Sequence, residues 1–190
     1  MGTVFRYNIL SSSLLFKKPS LLGFFYAYNV AMKNNFPYQA EIVEVTKDMC
    51  DHNDHMNVAF YYQVFDLGYT PMYFKEMGFT EDYFNSGFST FTLEDSIRYL
   101  KEFRLGDPIQ PAFALYNVNN KLMHILGGLF NKENELCAIF ETILGHIDMN
   151  QRKTVNFSDT RLKSLLELKN NHAEKFTVPF DIRLKIKDLV

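Results

Sequence analysis

The chain has 190 residues, of which 47% are hydrophobic and 16% aromatic, and a formal net charge of -2. This length suits one domain with an extended terminus, and the apolar fraction is sufficient for one core. The slightly acidic balance argues against a nucleic-acid-binding protein, and no stretch reaches the roughly 18 apolar residues of a membrane span. Cys50 and Cys137 are too far apart for a CxxC pair, which favours a reducing compartment without disulfides.

Residues 1–35 form an N-terminal extension that is excluded from the predicted fold. The first acidic residue of the chain is Glu41, and the extension contains basic residues and a serine run at 11–13. An acid-poor, basic segment is typical of an organellar transit peptide, although only Arg6 supplies an arginine. The alternative is an upstream translation start, with Met32 as the first residue. We expect a cytoplasmic protein, or a mitochondrial one if residues 1–35 are a transit peptide.

The predicted elements begin with a strand over residues 38–45. The segment 51–57 follows, rich in Asp, Asn and His, which cap helices and bond their own backbone. A long helix comes next, and Pro71 is expected either to kink it or to start a second helical segment. The helix is predicted from apolar residues that recur three or four positions apart: Tyr62, Phe65, Tyr69, Tyr73 and Met77.

The second half of the chain has the period-two pattern of β-strands. The predicted strands cover residues 88–99, 112–118, 122–130 and 136–147. A hairpin signal at Asn119-Asn120 joins the second and third of these. Residues 158–170 then read as an amphipathic helix capped by Ser158 or Asp159. Residues 158–190 are therefore predicted to form a C-terminal helix and tail that pack on the domain of residues 36–157.

One long helix and a run of antiparallel strands bury their apolar faces together when the helix lies across a curved sheet. The predicted fold class is α+β, with a sheet of about five strands wrapped around one long helix. A sheet that is covered on one face leaves its other face and an edge in need of a partner. This predicts a homodimer or a dimer of dimers.

Asp51 is the candidate catalytic carboxylate. It precedes the start of the helix, where the positive end of the helix dipole and free backbone N–H groups stabilise an anionic oxygen. Hydrolysis of a thioester needs a nucleophile or general base together with donors for the oxyanion. The competing interpretation is that Asp51, Asn53 and Asp54 only cap the helix.

The sequence gives little support for a metal site or for a catalytic serine. His52 and His55, with the neighbouring carboxylates, do not have the HExxH spacing, and no third set of ligands is obvious. No GxSxG motif is present. We therefore expect no metal and no cofactor.

Two acidic residues lie within the strand patterns. Asp95 occupies an otherwise apolar position, so it is either buried, and then paired or functional, or exposed beside a β-bulge. Glu141 presents the same alternatives. Tyr61 and Tyr62 are expected in the core; the alternative is a pocket wall around an acyl group, where aromatic rings attract a quaternary ammonium.

The segment Asp51-His-Asn-Asp-His-Met-Asn resembles the D-x-N-G-H-M-N segment of hot-dog thioesterases of the 4-hydroxybenzoyl-CoA type. Weaker matches follow in the same order and spacing, among them residues 93–94, 99–102 and 146–148. Within this group the chain is similar to the betainyl-CoA thioesterases, which also occur fused to L-carnitine dehydrogenases. The resemblance covers residues 38–190.

The resemblance implies a hot-dog fold, hydrolysis of a CoA thioester without a metal, and active sites formed between paired subunits. The expected catalytic residues are Asp51, His55, Asn57 and Glu94. Asp51 would be nucleophile or general base, His55 and Asn57 would position water or the thioester carbonyl, and Glu94 would face the acyl group. The expected substrate-binding residues are Asn53, Asp54, Tyr61 and Tyr62. Asp54 departs from the family, which has Gly at this position.

The expected function is hydrolysis of a small polar or cationic acyl-CoA, such as betainyl-CoA, to the free acid and CoA. CoA is then part of the substrate, and neither nucleic acid nor a membrane is an expected partner. One alternative is a hot-dog enoyl-CoA hydratase or dehydratase, although such enzymes have a Pro in the loop and another spacing of the Asp/His pair. A second is a domain that binds an acyl-CoA or acyl carrier without turnover, which the acidic Asp54 favours.

Overall fold

The computed structural model of the chain describes residues 35–187. The N-terminal extension and the targeting hypothesis lie outside the described residues, except for position 35. In chain order the described strands are β1 (Tyr38–Gln39), β2 (Val43–Glu44), β3 (Phe88–Tyr99), β4 (Pro108–Val118), β5 (Leu122–Phe130), β6 (Leu136–Asp148) and β7 (Lys153–Thr154). The helices are a 3-10 turn at Lys47–Met49 and the α-helices α1 (Val58–Lys75), α2 (Glu81–Asn85) and α3 (Asp159–Lys175).

The strands form one antiparallel sheet in the order β1-β4-β5-β6-β3, in which β2 also pairs with β4 and β7 with β6. Helix α1 packs on one face of this sheet, against β4 and β5. The predicted α+β class, an antiparallel sheet around one long helix, is confirmed. The strands predicted over 122–130 and 136–147 correspond to β5 and β6.

The strand predicted over residues 38–45 is wrong as a single element, because it is divided into β1 and β2. Both pieces pair with β4, where Pro111 has no N–H group to donate to the neighbouring strand. The carbonyl of Ala40 instead accepts a hydrogen bond from Nε2 of Gln110 at 2.6 Å. Regular pairing resumes at Val43.

Helix α1 continues through Pro71, so the alternative of a second helical segment starting there is wrong. Proline removes one hydrogen bond from the helix interior. The missing N–H of Pro71 would have bonded the carbonyl of Leu67, and the neighbouring Thr70 donates from Oγ1 to the carbonyl of Asp66 at 2.7 Å. Of the predicted apolar stripe, Phe65 is fully buried, whereas Tyr62 remains 40% exposed.

The face of the sheet that meets α1, here called the helix face, is packed with aromatic rings. Phe65 stacks on Phe140 with ring centroids 4.8 Å apart and meets Phe113 edge-on at 6.3 Å. A Cβ atom added at Gly68 of α1 would lie 2.9 Å from the Phe113 ring, and one added at Gly127 of β5 would lie 2.8 Å from it. The close approach of α1 to the sheet around Phe113 therefore depends on glycine at both positions.

The opposite face of the sheet, the tail face, is covered by the C-terminal residues 176–187, here called the tail. Tail side chains pack with Ala114, Leu126 and Ile139 in one cluster and with Ile143 in another. Glu141 of β6 also points to this face and is fully buried. The covering of both faces leaves the edges of the sheet as its open sides.

Glu141 is paired rather than free. Its carboxylate accepts hydrogen bonds from Nη2 of Arg98 at 3.0 Å and from the backbone N–H groups of Arg183 and Leu184 at 3.0 and 2.9 Å. A buried carboxylate needs such partners to stay ionised. Of the two alternatives for Glu141, the buried and paired one is correct, and its partners attach the tail to the sheet.

Helix α3 is attached to the sheet by the buried His172. The pairing of β1 with β4 ends at Phe113, so Leu115 has no β1 partner. The N–H group of Leu115 donates to Nδ1 of His172 at 3.0 Å. This bond requires an unprotonated Nδ1, which puts the ring proton on Nε2, 3.4 Å from a carboxylate oxygen of Glu76. Burial, reinforced by Lys175, lowers the pKa of His172 to about 4 despite this nearby carboxylate.

We expect Gly127→Ala to lower the free energy of unfolding by about 1–3 kcal/mol, because the added methyl group overpacks the Phe113 ring. Urea unfolding of both proteins measures the difference. Combining Gly127→Ala with Phe113→Leu should cost less than the sum of the single changes, because the smaller side chain makes room. Strictly additive losses would show that the two positions are not in steric conflict.

We expect stability to fall with pH between about 6.5 and 4 because of His172. In this window the unfolded chain binds a proton that the folded protein excludes, so acid favours unfolding. The effect amounts to roughly 3 kcal/mol at most. His172→Asn cannot titrate, so its free energy of unfolding should depend less on pH than that of the natural protein, measured by urea unfolding. Parallel pH profiles of the two proteins would contradict this assignment.

Candidate active site

The predicted catalytic segment is a tight loop that leads directly into α1. The N–H group of Asp51 donates to the carbonyl of His55 at 2.9 Å, and that of Asp54 donates to the carbonyl of Asp51 at 3.2 Å. Cys50 and Met56 pair at the base of the loop. The chain therefore reverses between two closely spaced points and presents Asp51 beside the start of the helix.

The Asp51 carboxylate is held by one of its two oxygens. Oδ1 accepts from the backbone N–H of Asn53 at 2.8 Å and from that of His55 at 3.2 Å. These bonds, that from Asn53 foremost, hold the pKa of Asp51 below its ordinary value, so the carboxylate is ionised at neutral pH. Within residues 35–187, no hydrogen bond to Oδ2 is found, which leaves an anionic oxygen available.

Asn57 is the N-cap of α1, so the interpretation of Asp51, Asn53 and Asp54 as the helix cap is wrong. The side chain of Asn57 accepts from the N–H of Ala59 at 3.0 Å, and its carbonyl accepts from the N–H of Phe60 at 2.9 Å. Neither bond uses the N–H group of Val58, the first residue of the helix. Asn57 thus shapes the helix start, and Val58 presents an N–H group at the positive end of the helix.

Asp54 occupies the position where the resembling family has glycine, and its backbone has φ of +60°. This left-handed conformation favours Gly and is tolerated by Asp more readily than by most residues. The Asp54 side chain is exposed and forms an ion pair with Lys47. The structure therefore gives the physical reason for glycine at this position and shows how Asp replaces it.

A second segment of chain, residues 101–105, lies against the loop. The N–H of Met56 donates to the carbonyl of Phe103 at 2.8 Å, and the N–H of Leu105 donates to the carbonyl of Asp54 at 3.2 Å. Tyr61 of α1 reaches the same segment, where its hydroxyl accepts from the N–H of Phe103 at 3.1 Å. Tyr61, a predicted substrate-binding residue, is buried and joins the helix to this segment.

His55 and Glu102 face each other across these two segments. Nε2 of His55 lies 3.4 Å from Oε2 of Glu102, and both side chains are partly exposed. Oε1 of Glu102 accepts from Nε of Arg104 at 2.8 Å. Nε2 of His55 is therefore within ion-pair distance of Glu102, and within residues 35–187 no hydrogen bond joins the His55 and Asp51 side chains as a hydratase acid–base pair would.

An open cleft of about 270 Å³ lies beside the helix start, lined by Met56, Val58, Tyr61, Tyr99, Leu100, Lys101 and Glu102. Its walls are mostly apolar and aromatic, with Tyr61 and Tyr99 edge to face at 5.0 Å. Val58, Tyr99 and Leu100 are each about half exposed or more. Lys101 is paired with Glu135 at 2.6 Å. The cleft therefore offers an apolar surface with an acidic group and no unpaired cation among its lining residues.

Glu94 is not brought to this cleft within the chain. A β-bulge between Thr92 and Glu94 shifts the register of β3, and Glu94 lies opposite Ile143, which belongs to the tail face. At about 3.3 Å per residue, Glu94 is also roughly 16 Å along the strand from Tyr99 at the cleft. Its side chain is exposed.

The same bulge explains Asp95. It lies opposite Thr142 on the helix face and is exposed, so the alternative of an exposed Asp95 beside a bulge is correct. Burial and then the negative Asp95 raise the pKa of Tyr62, whose ring meets Phe140 edge-on at 6.2 Å. Tyr62 and Asp95 form a pair along α1, apart from the cleft-lining residues.

Sequence reasoning missed Glu102, which belongs to the site only through the pairing of residues 101–105 with the loop. Its signals were a weak match of residues 99–102 to the thioesterase family and an acidic residue at the end of a strand, and neither indicates a role in the site. The cap role of Asn57 was open to prediction, since Asn is a preferred N-cap residue. Asp51, Asn53, His55 and Asn57 are brought together as predicted, while Glu94 and Tyr62 are not.

No three His, Cys, Asp or Glu side chains converge as a possible metal site anywhere between residues 35 and 187. The same part of the chain has no helix long and apolar enough to cross a membrane.

The sequence profile of the Thioesterase-like superfamily matches residues 45–165. The chain belongs to this superfamily. Its matched region includes the Asp51 loop, α1 and the whole sheet from β3 to β7.

Relatives of the chain include proteins named L-carnitine dehydrogenase/betainyl-CoA thioesterase. The chain is 27% identical to the protein from Agrobacterium fabrum over 141 residues, which is 74% of this chain and 29% of the relative. It is 24% identical to that from Rhizobium meliloti, over 73% of this chain and 28% of the relative. The chain thus spans less than a third of the length of these relatives.

Solved structures confirm the hot-dog fold. A Staphylococcus aureus protein in complex with CoA superimposes with a TM-score of 0.65 and 21% identity, covering 78% of this chain and 94% of that one. The DHNA-CoA thioesterase of Staphylococcus aureus superimposes with a TM-score of 0.64 and 14% identity, covering 74% and 97%. At these identities the likeness shows the fold alone.

We expect Asp54→Gly to change the free energy of unfolding by less than about 1 kcal/mol, because Gly adopts a positive φ freely and the lost ion pair is exposed. Asp54→Val should destabilise by about 1–2 kcal/mol, since a β-branched residue disfavours this conformation. Thermal unfolding of the two variants checks the difference. Equal melting temperatures would contradict the backbone explanation.

Proposed function

We propose that the protein hydrolyses an acyl-CoA thioester and that Asp51 is its catalytic carboxylate. The main support for the proposal is the hydrogen bonding of the Asp51 carboxylate. One oxygen is held by two backbone N–H groups, and the other is anionic and unbonded within the described chain, beside a helix N-terminus. Membership of the Thioesterase-like superfamily supports the same reaction.

A nucleophilic role suits Asp51 better than that of a general base. A carboxylate whose pKa is lowered accepts protons poorly, but it remains an anionic oxygen that can attack a carbonyl. Attack by Oδ2 forms a bond to the acyl carbon, and the C–S bond breaks to release the CoA thiolate, which is protonated by solvent. Water then adds to the acyl carbon of the mixed anhydride and loses one proton to solvent; the C–O bond to Asp51 breaks, which releases the free acid and restores the carboxylate.

The start of α1 supplies the electrostatic part of the reaction. The tetrahedral intermediate carries an oxyanion, which preorganised backbone donors stabilise. The N–H of Val58 is suited to this role, because Asn57 occupies those of Ala59 and Phe60 and because Val58 lines the cleft. Asn57 therefore keeps the helix start in place rather than contacting the reacting atoms.

The cleft supports a small polar or cationic acyl group as the substrate. Tyrosine rings attract cations, and the Tyr61 and Tyr99 rings both line the cleft. The two cationic side chains near it, Lys101 and Arg104, are each paired with a glutamate. The betainyl-CoA thioesterase part of the relatives' names agrees with a cationic acyl group.

A homodimer is part of the proposal. β3 is an edge strand of 12 residues that pairs only with β6 within the described chain, so its outer side can pair with a second copy. Leu93 and Tyr99 on this strand, and Val58 and Leu100 beside it, are large apolar residues that stay about half exposed. Pairing along this edge would cover them, and a partner chain is the one route by which a Glu94 side chain reaches the cleft.

We expect free-thiol release from at least one acyl-CoA in a panel of betainyl-, acetoacetyl-, short straight-chain and benzoyl-CoA, measured with a colorimetric thiol reagent. Asp51→Asn should lower kcat by about a hundredfold or more, because the amide is neither nucleophile nor base. Ligand-induced thermal stabilisation should persist in this variant.

The matched control for Asp51→Asn is Asp148→Asn. Asp148 is also held by backbone N–H groups, those of Asn150 at 2.8 Å and Gln151 at 3.0 Å, and its pKa is likewise lowered, but it lies at the far end of β6. This variant should keep full activity. Thermal stabilisation by acyl-CoAs without thiol release from any of them would favour the acyl-CoA-binding domain instead.

A further inference from the structure

We propose that Glu102 is a positioning residue that orients the imidazole of His55 for catalysis, an inference that rests on the proposed thioesterase function. Glu102 is outside the segment by which the chain resembles its family's active-site loop. It enters the site through tertiary structure, from the segment that pairs with that loop.

The two oxygens of Glu102 have separate partners. Oε1 is bonded by the guanidinium of Arg104, with Nε at 2.8 Å, and Oε2 lies 3.4 Å from Nε2 of His55. A carboxylate held at one oxygen presents the other in a defined direction. The distance to His55 is longer than an ideal hydrogen bond, as is common before a substrate closes a site.

The backbone also places Glu102 opposite His55. His55 pairs with Arg104 as an antiparallel bridge, and Met56 bonds Phe103 at 2.8 Å on one side of that bridge. The Tyr61 hydroxyl then holds the N–H of Phe103 at 3.1 Å. Exposed ion pairs contribute little to stability, but this pair is anchored at both ends by buried structure, which suits a positioning role.

The orientation determines which nitrogen of His55 is available. In the proposed arrangement the Nε2–H of His55 faces Glu102, and Nδ1 carries the lone pair. The N–H of His55 simultaneously holds Oδ1 of Asp51, so both side chains are positioned by one residue. Nδ1 then accepts a proton from the water that attacks the acyl carbon. The C–O bond to Asp51 breaks, its electron pair returns to the carboxylate, and the imidazolium releases the proton to solvent.

The test is a double-mutant cycle on the homogeneous full-length protein, using the acyl-CoA that releases thiol fastest. Glu102→Ala should lower kcat about tenfold with KM changed less than about twofold. Glu102→Gln should recover most of the loss, because its amide oxygen still accepts from Nε2. On a His55→Ala background, Glu102→Ala should have almost no further effect on kcat.

The control is Glu133→Ala, which removes an exposed glutamate paired with Lys132 at 3.8 Å in the β5–β6 turn and should leave kcat unchanged. Melting temperatures of all variants exclude unfolding as the cause. Equal losses from Glu102→Ala in both backgrounds, or a raised KM, would mean that Glu102 acts on the substrate and not through His55. If the natural protein is active and Glu102→Ala has the same kcat, the inference about Glu102 is overturned while the proposed function stands.

A measurement without turnover separates this inference from the proposed function. In protein labelled with ¹⁵N-histidine, the ring nitrogens of His55, assigned by loss of the signal in His55→Ala, should report the Nε2–H tautomer. Glu102→Ala should shift the signals toward a mixture of tautomers. If the natural protein releases no thiol, the proposed function is contradicted. If the ¹⁵N shifts of His55 are unchanged in Glu102→Ala, the positioning role of Glu102 is contradicted.

Discussion

The backbone pairing between the Asp51 loop and residues 101–105 is the constraint on which the site depends. Two hydrogen bonds, Met56 to Phe103 and Leu105 to Asp54, join chain segments about fifty residues apart. They set where α1 begins relative to the end of β3, and hence where its free N–H groups point. Val58 and Glu102 line one cleft because of this pairing, beside the loop whose own backbone holds the Asp51 carboxylate.

The packing of α1 on the sheet supports that arrangement from the other side. Phe113 occupies the space that Gly68 and Gly127 leave free, which fixes the height of the helix above β4 and β5. Tyr61 joins the first turn of the helix to Phe103. A helix held by a ring in its middle and by a hydroxyl at its start can keep its N-terminus in place while the adjoining cleft stays open to substrate.

The tail face shows how the C-terminal part of the chain becomes integral to the domain. Glu141 is buried in the sheet and bonded by two backbone N–H groups of the tail, and His172 accepts the N–H of Leu115 that has no strand partner. Each polar group would be costly to bury if its partner were removed. The tail face of the sheet is therefore covered by the chain's own C-terminal residues. The β3 edge remains available for pairing with another strand.

The sequence by itself determined the fold class, the long helix, β5 and β6, and the segment that holds Asp51, because these follow from local periodicity and from residues adjacent in the chain. Asn57 and Ser158 cap their helices with the short polar side chains that make such positions recognisable. Asp54 was identified as a departure from glycine, and its positive φ gives the reason.

Only the tertiary structure decided the outcome for residues whose role depends on a distant partner. The break in the first strand follows from Pro111, far along the chain, and the bulge in β3 turned Glu94 to the tail face. Glu102 joined the site through a bridge to His55 that no local pattern encodes. Hydrophobic periodicity and composition indicate which side of one segment is buried. Strand register and pairing instead depend on how several segments pack together.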